Sequence, residues 1–179
     1  TQGVSSAASD VYKRQYLDYL VVAIDSLAQS IEGGTLALFT NYNDLLYCHH
    51  ALQSKWQKKG RSVYAQGTDH SRSELRAKMI DEGDVLLLGA ESFWKGFDAK
   101  GPCLSQVIIT RLPFENPNHP IMEAKSELLK ETGKNSFMEL TLPSAVIKFR
   151  QGIGRLIRSK SDMGDLVVLD SRILSKQYG

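Results

Sequence analysis

Residues 84–90, Asp-Val-Leu-Leu-Leu-Gly-Ala, form an unbroken apolar run between turn residues. A strand with one wet face alternates apolar and polar side chains. A run without alternation describes a strand covered on both faces. SQVIITRLPF (105–114), ended by its proline, and DLVVLD (165–170) read the same way. TLALFT (35–40) and SVYAQ (62–66) are shorter strand-forming runs. Between the strands the apolar spacing turns helical. Tyr16–Ile31 carries apolar residues at 17, 20, 21, 24, 27, 28 and 31, and Gly33-Gly34 ends it. Residues 43–58 place Leu45, Leu46, Leu52 and Trp56 inward, and Arg72–Glu82 groups Leu75, Met79 and Ile80. His119–Glu131 is a helix stopped near Gly133, and Pro143–Ser159 is a longer one with proline in its first turn. Doubly buried strands separated by helices predict an α/β fold of three layers around a mostly parallel sheet.

The chain has 179 residues, of which 42% are hydrophobic, 22 are Lys or Arg and 20 are Asp or Glu. This is enough apolar surface for one sizeable core and excludes wholesale disorder. Two cysteines, Cys48 and Cys103, make neither a disulfide scaffold nor a four-cysteine metal site. No apolar run approaches the roughly 20 residues that span a bilayer, so no membrane partner is expected. A net charge of +2 identifies no partner, and only local clustering of charge is informative.

Residues 1–15 stand apart: they are small, polar and without apolar periodicity. SSAASDVYKRQ (5–15) resembles the translation of a transposon-derived sequencing adapter. The stretch is expected to be non-native, leaving 16–179 as the natural domain, cut from a longer reading frame.

The densest chemistry lies in VIKFRQGIGRLIRSK (146–160). On a continuous helix, Val146, Phe149, Ile153, Leu156 and Ile157 share one stripe, while Gln151, Arg155 and Arg158 share the opposite face near Lys148. Five basic and no acidic residues lie between Ser144 and Ser161. Paired guanidinium forks suit phosphate oxygens; a solvated basic surface is the plainer reading of the same charges. Gly152 and Gly154 each cost a helix about 1 kcal/mol, which implies that something comes close to the backbone there. A second candidate is GAESFWKGFDAKGP (89–102), at the carboxyl end of the doubly buried strand, the edge where open α/β sheets bind ligands. It offers the Ser92 hydroxyl, a tight turn at Gly96 and the Asp98 carboxylate. Phe93 and Trp94 there suit either stacking on a nucleobase or packing beneath the loop. Gly152-Ile153-Gly154 does not follow a strand and is no dinucleotide fingerprint. The adjacent His49 and His50 point in different directions, and no metal site is expected.

These segments resemble, in order along the chain, the motifs of the DinG/XPD branch of superfamily-two helicases. QGIGRLIR (151–158) is similar to motif VI, SFWKGFD (92–98) to motif V and LALFTNYNDL (36–45) to motif IV. YAQG (64–67), RLPFENPNHP (111–120) and VVLDSRI (167–173) resemble further family segments. The resemblance implies the second, C-terminal RecA-like motor domain, of P-loop NTPase type, of an ATP-dependent DNA helicase. It implies ATP in a cleft between two motor domains, with Arg155 and Arg158 reaching its phosphates and Gln151 sensing nucleotide state. Ser92, Gly96, Asp98 and the motif VI Gly154 would then serve nucleotide coupling, and Thr40, Asn41 and Tyr42 the DNA backbone. Lys95 departs from the family, which usually has Glu before the motif V glycine; a basic residue there reverses the local charge and could touch a DNA phosphate. The chain has no G-x-x-x-x-G-K-[ST] loop and no DEAH-type box. The resemblance assigns both, with most of the ATP and Mg2+ binding and any iron–sulfur cluster, to a missing N-terminal motor domain. That domain and single-stranded DNA are the expected partners, the bacterial cytoplasm and nucleoid the expected location, and the chain alone is expected not to hydrolyse ATP. A single-stranded nucleic-acid-binding module that never hydrolyses ATP is the alternative.

Overall fold

The computed structural model of the chain describes residues 2–96, 103–154, 156 and 163–178. Its elements run α1 (Gln2–Gln29), β1 (Gly34–Leu38), α2 (Tyr42–Gln57), β2 (Ser62–Ala65), α3 (Arg72–Glu82), β3 (Val85–Gly89) and α4 (Glu91–Gly96). After these come β4 (Leu104–Ile109), α5 (Pro120–Glu131), a π-helical turn (Phe137–Thr141), α6 (Leu142–Ile153), β5 (Asp165–Val168) and α7 (Arg172–Ser175). The five strands form one sheet in the order β2-β3-β1-β4-β5, and every pairing is parallel.

The unbroken apolar runs resolve into two faces, because neighbouring side chains of a strand point opposite ways. Ala37, Phe39, Leu86, Leu88 and Ile108 belong to one core, with Leu20, Ile24 and Ala28 of α1 and Leu45, Cys48, Leu52 and Trp56 of α2. Leu36, Leu38, Val85, Leu87, Val107 and Ile109 belong to the other, with Leu75 and Met79 of α3 and Phe93 and Trp94 of α4. The result is the three-layer α/β arrangement expected from the strand pattern. Across the first core, Asp25 of α1 accepts the Trp56 indole N–H at 2.9 Å and pairs with Lys55, tying α1 to α2.

Four expectations change. The helix expected from Tyr16 begins at Gln2, with Ala8 to Gln15 all exposed. The packed half of α1 supplies the nucleus, and extending a formed helix through alanine, lysine and arginine costs little. DLVVLD is not a buried strand: β5 lies at the sheet edge, with Asp165 and Leu166 exposed and Val167 and Val168 half-buried. Ile80 of α3 is 43% exposed, beyond the stripe that buries Leu75 and Met79. The strand read as 105–114 ends at Ile109, and the chain then crosses the sheet edge without regular structure to Pro120.

Candidate functional site at the carboxyl edge of the sheet

The carboxyl end of the central strand β1 delivers Thr40, Asn41 and Tyr42 to the surface, where all three are exposed. Asn41 has extended backbone and caps α2, its side-chain oxygen accepting the Asn43 N–H at 2.8 Å. The Tyr42 hydroxyl covers Gly67, whose φ is +78°; a Cβ there would lie 2.2 Å from the phenolic oxygen. The segments at 36–45 and 64–67, separate in sequence, therefore meet at this edge.

Beside them α4 turns back beneath the edge. Gly89 permits this, since a Cβ on it would come within 2.6 Å of the Phe93 Cβ. Phe93 and Trp94 are fully buried, which settles their two readings in favour of packing: neither offers a face to a base. The Trp94 indole N–H donates to the Phe39 carbonyl at 2.9 Å. Its six-membered ring lies against Gly152 of α6, where a Cβ would stand 3.0 Å from Cε3 and Cζ3 and 3.2 Å from Leu38 Cδ1. The close approach implied by a glycine inside that helix is made by Trp94. Ser92 is half-buried. Lys95 and Gly96 close α4, and Asp98 lies outside the described residues.

α6 is shorter than the expected 143–159. It ends at Ile153, and the C-cap Gly154 donates its N–H to the Arg150 carbonyl at 2.9 Å. Two glycines in three residues weaken the helix there. Gln151 is exposed and Gly154 half-buried, while Arg155 and Arg158 lie outside the described residues. The inward stripe also differs, for Val146 is 45% exposed whereas Ala145, Gly152 and Leu156 are buried. Gly152 is small because the Trp94 ring fills the space a side chain would need.

Asp170, which sequence reasoning passed over, organises the other end of the edge. Its carboxylate accepts the Leu112 N–H at 2.9 Å, the Arg172 backbone N–H at 3.0 Å and the Arg172 guanidinium at 2.6 Å. Burial would raise its pKa, but the bonds from Arg172 and Leu112 outweigh it and hold the carboxyl below the usual range. An aspartate before serine reads as a turn former; only the partner 58 residues away reveals the clamp. Between these features lies a cleft of about 380 Å³, with Thr40, Asn116, His119, Lys125 and Lys148 among its lining residues. Among the described residues no group of three or more His, Cys, Asp or Glu could hold a metal ion. The Cys48 thiol, pushed up to about 12 by burial and by Asp44, is no thiolate ligand at neutral pH.

Comparison with known proteins places this edge in context. The family model described as the helicase C-terminal domain matches residues 24–179. The Bacillus subtilis 3'-5' exonuclease DinG is 41% identical over 157 residues, covering 87% of this chain and 17% of that protein. The Escherichia coli ATP-dependent DNA helicase YoaA is 42% identical over 140 residues, covering 75% of this chain and 22% of that one. The chain therefore spans about a fifth of the length of these relatives. A solved structure titled XPD_APO superposes with a TM-score of 0.69 over 91% of this chain and 32% of its own, at 19% identity, a likeness of fold.

Proposed function

The chain belongs to the helicase C-terminal domain family, and we propose on that premise that it is the second motor domain of a DinG-like ATP-dependent DNA helicase. In the intact protein it faces a first motor domain across a cleft that holds ATP, and single-stranded DNA crosses both. Arg155 and Arg158 extend into that cleft. Their guanidinium groups stay charged at any working pH and neutralise the negative charge that builds on the phosphoryl group as it moves to water. Gln151, beside them, reports whether nucleotide is present. Ser92, Gly96, Asp98 and Gly154 link nucleotide occupancy to the hold on DNA, and Thr40, Asn41, Tyr42 and Lys95 meet the DNA backbone.

One observation carries this reading. The segments similar to motifs IV, V and VI, far apart in the chain, converge on a single buried contact of Phe39, Trp94 and Gly152. As the family resemblance implies, Mg2+, most ATP contacts and any iron–sulfur cluster fall to the first motor domain. No helix among the described residues is long and apolar enough to cross a membrane, and we assign the intact protein to the bacterial cytoplasm and nucleoid. Residues 1–15 we assign to a non-native tail.

The test is Arg158→Ala in the intact natural protein. DNA-stimulated ATP turnover is expected to fall by about 10³-fold or more, the scale of a lost arginine finger, while single-stranded DNA affinity is retained. If DNA affinity falls instead, the basic segment serves binding alone, and the non-hydrolysing module becomes the better account.

A further inference from the structure

We propose that Trp94 is the mechanical link between the DNA-facing and nucleotide-facing segments of this domain: a positioning residue whose loss uncouples ATP turnover from DNA. The inference rests on the helicase reading and extends it to a residue that touches neither nucleotide nor DNA. Trp94 is fully buried and attached to three segments at once. Through the indole N–H it holds the Phe39 carbonyl at 2.9 Å, one residue before Thr40 and its exposed neighbours. Through its own helix it stands two residues from both Ser92 and Gly96. The edge of its six-membered ring occupies the space a side chain on Gly152 would need, next to Gln151 and two residues before Gly154.

The contacts are stiff in different directions. The hydrogen bond sets how far the indole enters beneath the end of β1. The ring against Gly152 sets how near α6 approaches α4, and Leu38 closes the third side. A close-packed interior transmits displacement instead of absorbing it. Movement at the end of β1 when DNA is gripped therefore reaches the start of the arginine-bearing segment through one rigid side chain. A ligand on either side shifts the other only through such differential contacts.

The experiment uses the intact natural protein, with ATP turnover measured without DNA and with a saturating single-stranded oligothymidylate, and DNA affinity measured by fluorescence anisotropy. Trp94→Phe removes the indole N–H and withdraws the ring from Gly152. The factor by which DNA stimulates turnover is expected to fall about tenfold, within the usual range of coupling between sites, while DNA affinity and turnover without DNA change little. Gly152→Ala, which presses a methyl group on the same ring, is expected to lower the factor too. In the Trp94→Phe background it should add little, because the opposing ring atoms are gone. A purely structural role for Trp94 predicts equal proportional losses with and without DNA; that result, or an unchanged factor in both variants, overturns the proposal while leaving the helicase reading intact. Wild-type protein without any DNA-stimulated turnover overturns the helicase reading and this proposal with it.

Discussion

Asp25 and Asp170 are buried carboxylates that each hold two distant parts of the chain together, and each is kept ionised by its partners. For Asp25 burial raises the pKa, but the bonds from Lys55, Trp56 and Gln29 outweigh it and the net shift is downward; Asp170 is lowered in the same way by Arg172 and Leu112. A folded-state pKa below the unfolded value of about 3.9 adds stability that is complete above that value and disappears as pH falls through the folded one. Denaturant unfolding between neutral and strongly acid pH is expected to show stability dropping below about pH 4, and Asp25→Asn and Asp170→Asn are expected to flatten that limb. At neutral pH Asp25→Ala leaves the fully buried Trp56 N–H without an acceptor, a loss of about 1–3 kcal/mol by the same measurement. Neither role was legible in the sequence, where an aspartate on a helix and another before serine are ordinary surface features. Their meaning lies in partners 31 and 58 residues away.

The elements divide by what a local pattern can encode. A run such as DVLLLGA announces a strand covered on both faces, and β3 is one, because neighbouring side chains in a doubly covered strand meet similar surroundings. DLVVLD carries the same pattern and became an edge strand, since an apolar run says nothing about the rank of a strand within its sheet. The end of α6 was open to misreading for another reason. Helical spacing continues through Leu156 and Ile157, but two glycines remove the backbone preference that would sustain it. Gly152→Ala sets two effects against each other: a helix-propensity gain of at most about 1 kcal/mol and the intrusion of a methyl group on an indole that is buried and hydrogen-bonded. The indole is fully buried and held by its hydrogen bond to the Phe39 carbonyl, so overpacking is expected to prevail and the substitution to destabilise this chain by about 1–3 kcal/mol in denaturant unfolding. At the start of α3 both bonds of a capping box join Ser71 and Glu74; Ser71→Ala is expected to cost about 1 kcal/mol.

For the whole molecule, the layer order and parallel sheet were readable from the alternation of elements, and the motif segments from their order. Their convergence was not, because it depends on β1 lying between β3 and β4, a long-range choice that no window of sequence contains. Two outcomes belong to this scale. Removing residues 1–15 should change unfolding free energy by less than about 0.5 kcal/mol, since Ala8 to Gln15 are exposed along one end of α1. Purified as it stands, the chain should show no ATP turnover with or without DNA, and turnover should appear when the natural first motor domain is joined to it. Measurable hydrolysis by the chain alone would falsify the division of labour between the two domains.

The strand order also dictates a schedule of synthesis. Among the described residues β1 pairs only with β3 and β4, and β2 only with β3, so none of these pairings can form until the nascent chain has emerged from the ribosome past Gly89. Until then two strands wait beside α1, α2 and α3 with their apolar sides uncovered. Non-local parallel pairing of this kind is slow and exposes sticky surface while it waits. β3 is therefore the keystone of assembly: its arrival closes two pairings at once, and a pause in translation just before it prolongs the interval in which chaperones have most to bind.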